Sequence, residues 1–135
     1  MMRVVAACVA AVMLMGAVGV PVVMPGGTRV TDRVVGAGET AEPGRMVAVH
    51  YTGWTWSQGL KGKQFDSSVG GAPFVFMLGA GEVILGWDEG VSGMRVGGKR
   101  TLLVPASAGY GDVGAGPDIP PGATLLFEVE LLGVR

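Results

Sequence analysis

The chain has 135 residues, with ten Lys and Arg against eleven Asp and Glu and a net charge of −1; that is room for one domain with a modest core, and with no basic run it excludes the electrostatic footprint of a nucleic-acid binder. One cysteine, Cys8, and one histidine, His50, cannot between them build a metal site or an internal disulfide. Twenty-five glycines and eight prolines beside 49% hydrophobic residues describe a folded chain rich in turns, mostly β-structure, rather than a disordered one.

In chain order, Arg3 is followed by an uncharged apolar run from Val4 to Val20, with small residues at Ala17 and Gly19. That arrangement matches a secretory signal peptide cut near Gly19 to Pro21. Extended to Met24, the run is long enough to span a bilayer, which needs about 20 residues, so a retained anchor is the alternative. A third reading starts the protein at Met24 and makes it cytosolic. Export is the reading preferred here, with residues 1–24 as signal or anchor and 25–135 as the domain. Cys8 lies too early for a lipoprotein cleavage site and reads as a small buried hydrophobe.

Thr28 to Val35 alternates loosely and ends in Gly36-Ala37-Gly38, an edge strand and then a turn. Arg45 to Thr52 alternates cleanly, with Val47, Val49 and Tyr51 on one face, and reads as a half-buried strand. Trp54 to Gln64 has no period and reads as a surface loop leading into Phe65-Asp66-Ser67-Ser68. Pro73 opens a third alternating stretch, with Phe74, Phe76 and Leu78 on one face and Val75 and Met77 on the other. After Gly79-Ala80-Gly81, the residues Val83, Ile84, Trp87, Val91 and Met94 recur at helical intervals, with Glu82 at the N-terminal end where a negative charge is favoured. Gly86, Gly90 and Gly93 make this helix too weak to stand without packing on a sheet. Arg100 to Val104 is a short strand. The stretch Ala106 to Ala123, rich in Gly and Pro, is a long loop of the kind that is usually functional. Thr124 to Leu132 closes the chain, with Leu125, Phe127, Val129 and Leu131 inward. Four or five antiparallel strands and one short helix make an α+β fold.

Several motifs point to chemistry and fail on inspection. Gly79-Ala80-Gly81 lacks the third glycine of a dinucleotide fingerprint, because Ile84 stands there, and Gly97-Gly98-Lys99-Arg100 runs into a strand rather than forming a phosphate loop. Ser67 and Ser107 have only His50 as a possible base, on the strand face turned away from the aromatic cluster, so nucleophilic catalysis is not supported. His50 reads as satisfying a local hydrogen bond. Asp66 follows Phe65 in an apolar neighbourhood and needs a partner unless it is simply a surface residue.

Taken together, Val49-His50-Tyr51-Thr52-Gly53, Phe65-Asp66-Ser67-Ser68, Pro73 to Glu89, Tyr110-Gly111 and Ile119 to Leu125 followed by Phe127 to Leu132 resemble the FKBP-type peptidyl-prolyl cis-trans isomerases, the macrolide-binding immunophilins. The segments occur in family order from about Thr28 to the end. The resemblance implies an antiparallel half-barrel of five to six strands wrapped round one short helix, with the substrate proline entering between sheet and helix. It implies a site in which Tyr51, Asp66 and Tyr110 act on the prolyl amide while Phe65, Phe74, Val83, Ile84, Trp87, Ile119 and Phe127 bind it. Trp87 is the implied floor of that site. No metal or cofactor is implied, and the implied partners are X-Pro segments of folding proteins and macrolide-type inhibitors, bound by a monomer. A module that binds proline or macrolide with little turnover is the other reading. Relatives often carry an arginine just after Phe-Asp-Ser-Ser that pairs with the aspartate; Val69-Gly70-Gly71-Ala72 has none, so Asp66 is left to hydrogen bonds from Tyr51 and the nearby backbone.

Overall fold

A computed structural model describes residues 18–135. In chain order it has β1 (Val22–Val23), β2 (Arg29–Val34), β3 (Met46–Ser57), β4 (Leu60–Ser67), β5 (Phe74–Met77), α1 (Leu85–Val91), β6 (Lys99–Val104), a single 3-10 turn (Ala106–Ala108) and β7 (Thr124–Val134). The strands form one antiparallel sheet in the order β1-β2-β6-β7-β3-β4, with β5 paired to β3. The organising element is β3. Its first half, Met46 to Val49, pairs with β5, its second half pairs with β4, and β7 runs along its whole other side.

The alternation of the inward residues explains the core. Val47, Val49, Phe76, Leu102, Val104, Leu125, Phe127, Val129 and Leu131 are all buried on the face that receives α1. Burying side chains of this size contributes about 1.5–3 kcal/mol each, which is what holds so short a helix in place. α1 lies close on β6: a Cβ added at Gly86 would stand 2.5 Å from Val104 Cγ1, and one at Gly90 would stand 2.9 Å from Leu102 Cδ2. The glycines that weaken this helix are therefore the reason it can approach the sheet. Arg100, 5% exposed, fixes the other end of the helix by donating to the carbonyls of Gly90 and Ser92 at 2.9 and 3.0 Å while its Nε meets Asp32 at 2.7 Å. Glu89 accepts from the N–H groups of Gly26 and Thr28, tying the turn before β2 to the same helix.

Three expectations need correction. The segment from Trp54 to Gln64 is no loop: β3 continues through it, turns at Gln58 (φ 53°) and Gly59 (φ 77°), and returns as β4. Positive φ at both central residues is what a two-residue hairpin turn of matching twist requires. The alternation is missing because β4 is an edge strand with most of its residues exposed, so no face demands apolar side chains. The helix starts at Leu85, not near Glu82; Val83 and Ile84 lie in the approach to it. Finally, β2 is not the outermost strand, because Val22 and Val23 pair with Val30 and Arg29. Gly19 also donates to the Asp32 carbonyl at 2.8 Å, so the sheet reaches upstream of residue 25. The remainder of the proposed signal or anchor segment, residues 1–17, lies outside the described residues. Among the described residues no helix is long and apolar enough to cross a membrane.

Candidate active site

Between the helix and the concave face of the sheet lies a hollow of about 370 Å³. Its floor is the indole of Trp87, 4% exposed and presented by α1. Four rings surround it: Tyr51 from β3 at 4.8 Å between centroids, Phe127 from β7 at 5.4 Å, Phe76 from β5 at 5.7 Å and Phe74 from β5 at 5.9 Å. Three of the four meet the indole edge to face, the arrangement that the quadrupoles of aromatic rings favour. Phe65 from β4 packs on Phe127 at 5.6 Å, and Gly53 makes room for both, since a Cβ there would come within 2.7 Å of Phe65 and 2.8 Å of Phe127.

The polar groups sit on the rim. Tyr51 donates its hydroxyl to Asp66 Oδ2 at 2.5 Å, in the range of charge-assisted O–H···O⁻ bonds. The Ser67 N–H donates to Asp66 Oδ1 at 2.9 Å. Burial foremost, then the bond to Asp66 and its negative charge, push the Tyr51 phenol well above its ordinary range, so the proton stays on Tyr51. The serines after Asp66 hold it in position: Ser67 donates to the Tyr51 carbonyl at 3.1 Å, and Ser68 Oγ accepts from the Tyr51 N–H at 2.9 Å. His50 Nδ1 lies 2.9 Å from Ser68 Oγ, the local bond expected of it.

Nine of the ten residues named from the sequence line the hollow: Tyr51, Phe65, Asp66, Phe74, Val83, Ile84, Trp87, Tyr110 and Phe127. Ile119 does not; it is 6% exposed within the core, where it anchors the long loop that presents Tyr110. Asp66 has the hydrogen bonds expected of it but not the apolar enclosure, because it is exposed. Glu82 also lines the hollow and was not singled out for it. Its Oε1 accepts from the Met77 N–H at 2.9 Å, and Asp88 accepts from the N–H groups of Gly79 and Gly81, so two carboxylates hold the turn that delivers Val83 and Ile84. Gly79-Ala80-Gly81 is thus a structural turn. The Ile84 carbonyl caps α1 by accepting from Trp87 and Asp88, whereas the Ile84 N–H makes no hydrogen bond among the described residues.

A larger hollow of about 650 Å³ lies on the face turned away from the helix, among Arg33, His50, Lys61, Lys99, Glu128 and Glu130. Size does not decide between the two. The larger one is walled by charges of both signs and lacks the ring cage that could desolvate a ligand.

A family model described as FKBP-type peptidyl-prolyl cis-trans isomerase matches residues 37–132. The chain belongs to that family. Within it, the chain is 51% identical over 110 residues to an FK506-binding protein of Neisseria meningitidis serogroup B, covering 81% of this chain and 97% of that one. It is 51% identical over 115 residues to the 39 kDa FK506-binding nuclear protein of Drosophila melanogaster, covering 85% of this chain but only 31% of the larger protein. The crystal structure of AtFKBP13 is similar in fold, with a TM-score of 0.75 at 41% identity over 86% of this chain and 99% of that one. The FKBP-type fold is therefore present over nearly all of the described residues, and the ring cage, from Tyr51 to Phe127, lies within the matched span.

Proposed function

We propose that the hollow over Trp87 accelerates rotation about X-Pro peptide bonds. Rotation about an amide meets a barrier of about 18–20 kcal/mol because conjugation is lost in the twist, while the cis and trans forms of X-Pro differ by only about 0.5–1 kcal/mol. The barrier is all that needs lowering. As the bond twists, charge separation between oxygen and nitrogen falls, so the transition state is less polar than either planar form and is favoured by an apolar, water-poor seat. Trp87, Tyr51, Phe74 and Phe127 provide that seat for the prolyl ring. The Ile84 N–H, without a hydrogen-bond partner among the described residues, and the Tyr110 hydroxyl receive the substrate carbonyls. Asp66, through Tyr51, holds the rim in register with the twisted carbonyl. Binding the twisted form more tightly than the planar one is the whole of the catalysis, at tenfold in rate for each 1.36 kcal/mol.

The observation that carries this reading is the indole floor enclosed by four rings with a hydrogen-bonded Tyr51–Asp66 pair at its edge. The same cage accounts for a macrolide-type ligand as a competitor for the prolyl seat. The test is the turnover of an X-Pro peptide with and without such a ligand. Competitive inhibition, and a loss of only part of the turnover in Asp66→Asn, are the expected results; simultaneous binding of peptide and macrolide would place the site elsewhere. Tight binding with no turnover would leave a binding module in its stead. We further propose that the domain acts as a monomer and that the apolar run from Val4 to Val20 directs export, which N-terminal sequencing of the mature protein decides.

A further inference from the structure

The free edge of the sheet is lined with valines. Val18, Val20, Val22 and Val23, on and just before β1, are each between 37% and 61% exposed, and Val34 and Val35 at the end of β2 are exposed beside them. They stand on fixed backbone, because Val22 and Val23 pair with Val30 and Arg29, and the Gly19 N–H bonds to the Asp32 carbonyl. A single apolar residue on a surface means little, but a run of them along one edge marks an interaction site. The uncompensated charges beside this run are of one sign. Arg29, opposite Val23, makes no hydrogen bond or ion pair among the described residues, and Arg33 donates only to the neutral hydroxyl of Thr101. Of the nearby acids, Asp32 is taken up by the buried Arg100, and Glu89 is engaged by the N–H groups of Gly26 and Thr28. Lys99, opposite Val34, has Glu130 as its neighbour on β7 and is left out of the count.

We infer that this edge docks on an anionic phospholipid surface, with the valines entering the headgroup boundary and Arg29 and Arg33 meeting the headgroup charges. Strand addition by a second polypeptide does not fit. β1 is two residues long, and Pro21 just before it has no N–H to offer a ladder, which is how sheet edges are blunted against pairing. What the edge presents is apolar side chains and positive charge. The sequence brings it to a bilayer: the uncharged apolar run from Val4 leads into Val18 with no polar linker, so wherever that run meets a membrane the edge arrives with it. Val22 and Val23 stay on the chain after a cut anywhere from Gly19 to Pro21. In the sheet order, β2 and β6 separate β1 from the strands that carry Tyr51, Phe65, Phe74 and Phe127, so a docked domain keeps its prolyl seat open to polypeptide. The inference is independent of whether that seat turns over X-Pro bonds.

The experiment uses the full chain with Cys8→Ser and a single nitrobenzoxadiazole label at Val23→Cys. The control carries the label at Val113→Cys, 89% exposed on the loop that presents Tyr110. Vesicles are phosphatidylcholine alone or with an equal part of phosphatidylglycerol, their acyl chains brominated to quench a label that enters them. On the anionic vesicles the Val23→Cys label should be quenched roughly threefold more than the Val113→Cys label, since a docked apolar face sits about 5–10 Å into the boundary of headgroups and acyl chains. Arg29→Gln with Arg33→Gln should weaken docking by about fivefold for each cation removed, and molar salt should act in the same direction. Val20→Thr with Val22→Thr keeps branched side chains in the strand and should weaken it too. The urea midpoint of the arginine variant should match wild type, which shows that the edge is still folded. If the run upstream of Val18 alone holds the chain to the vesicles, both labels stay equally bright and the inference is overturned. Equal quenching on neutral vesicles would overturn it as well, and so would a Val23→Cys label shielded without lipid in a sedimenting dimer.

Discussion

Gly86→Ala sets two well-measured effects against each other. Alanine is favoured over glycine inside a helix by about 1 kcal/mol, and the backbone at Gly86 does not adopt the left-handed conformation that would forbid a side chain. The new Cβ, however, would lie 2.5 and 2.8 Å from the two γ-methyls of Val104 and 3.1 Å from Thr28 Oγ1. Carbon atoms sit comfortably at about 3.5–4.0 Å, so the helix has to move by roughly 1 Å or the strand has to yield. Val104 is wholly buried and branched at Cβ, so it cannot swing aside by changing rotamer. Two contacts this short with a wholly buried side chain fall in the upper part of the overpacking range of about 1–3 kcal/mol, at about 2–3 kcal/mol, and after the helix gain the net loss should be about 1–2 kcal/mol, or about 4–8 °C in melting temperature for a domain of this size. Because Trp87 is the next residue, the displaced helix should also lift the floor of the hollow and raise KM more than it lowers kcat. Gly90→Ala meets only the δ-methyls of Leu102, at 2.9 and 3.0 Å, and should cost less. Urea unfolding of both variants gives the values. A Gly86→Ala protein as stable as wild type, or more stable, would refute the close approach of helix and sheet on which the geometry of the site depends.

Trp87→Ala should abolish binding of prolyl peptides and cost about 3–5 kcal/mol of stability by removing a buried ring touched by four others, whereas Trp87→Leu should keep more stability and still lose affinity; unfolding and titration of both variants separate the two effects. Arg100→Met leaves Asp32 largely buried without its cation and frees the last carbonyls of the helix, a loss of about 3–5 kcal/mol in urea, part of which Asp32→Asn in the same chain should restore. Tyr51 gives an alkaline signature. Its folded phenol titrates above the unfolded one, so its contribution is fully present below the ordinary tyrosine range and is lost as pH rises through that range toward the folded value. The stability advantage of wild type over Tyr51→Phe should therefore narrow between about pH 9 and pH 11; an advantage that grows over that interval would be the wrong sign for a raised phenol.

The strands with one buried face were legible in the sequence because period-two alternation is a direct record of burial: Val47-Val49-Tyr51, Phe74-Phe76-Leu78 and Leu125-Phe127-Val129-Leu131 all point where the pattern places them. The hairpin from Trp54 to Gln64 was not legible for the same reason in reverse, since β4 at the sheet edge is mostly exposed and Gln58 is an uncommon residue for a positive φ. Nothing local in the sequence marks Arg100, at the start of its strand, as the partner of Asp32, 68 residues away, and of the end of the helix. Gly86 and Gly90 read correctly as weakening the helix, but the sheet they let in is a tertiary fact. At the site, the aromatic floor and walls were legible through resemblance, and so were the hydrogen bonds of Asp66. Its exposure, the retreat of Ile119 into the core and the place of Glu82 on the rim depend on how loops lie over the sheet, which no local pattern encodes.

The central claim is that the hollow lowers the X-Pro barrier by desolvating and binding the twisted amide, with no proton in flight and no covalent bond formed. Cis–trans exchange of an Ala-Leu-Pro-Phe peptide, followed by NMR in H₂O and in D₂O, tests it most directly. Uncatalysed exchange takes on the order of 10–100 s at 25 °C. The account predicts that the protein shortens this many-fold, with a solvent isotope effect close to one. A rate equal to the spontaneous one, or a catalysed rate at least about twofold slower in D₂O as general acid–base proton transfer would give, contradicts it.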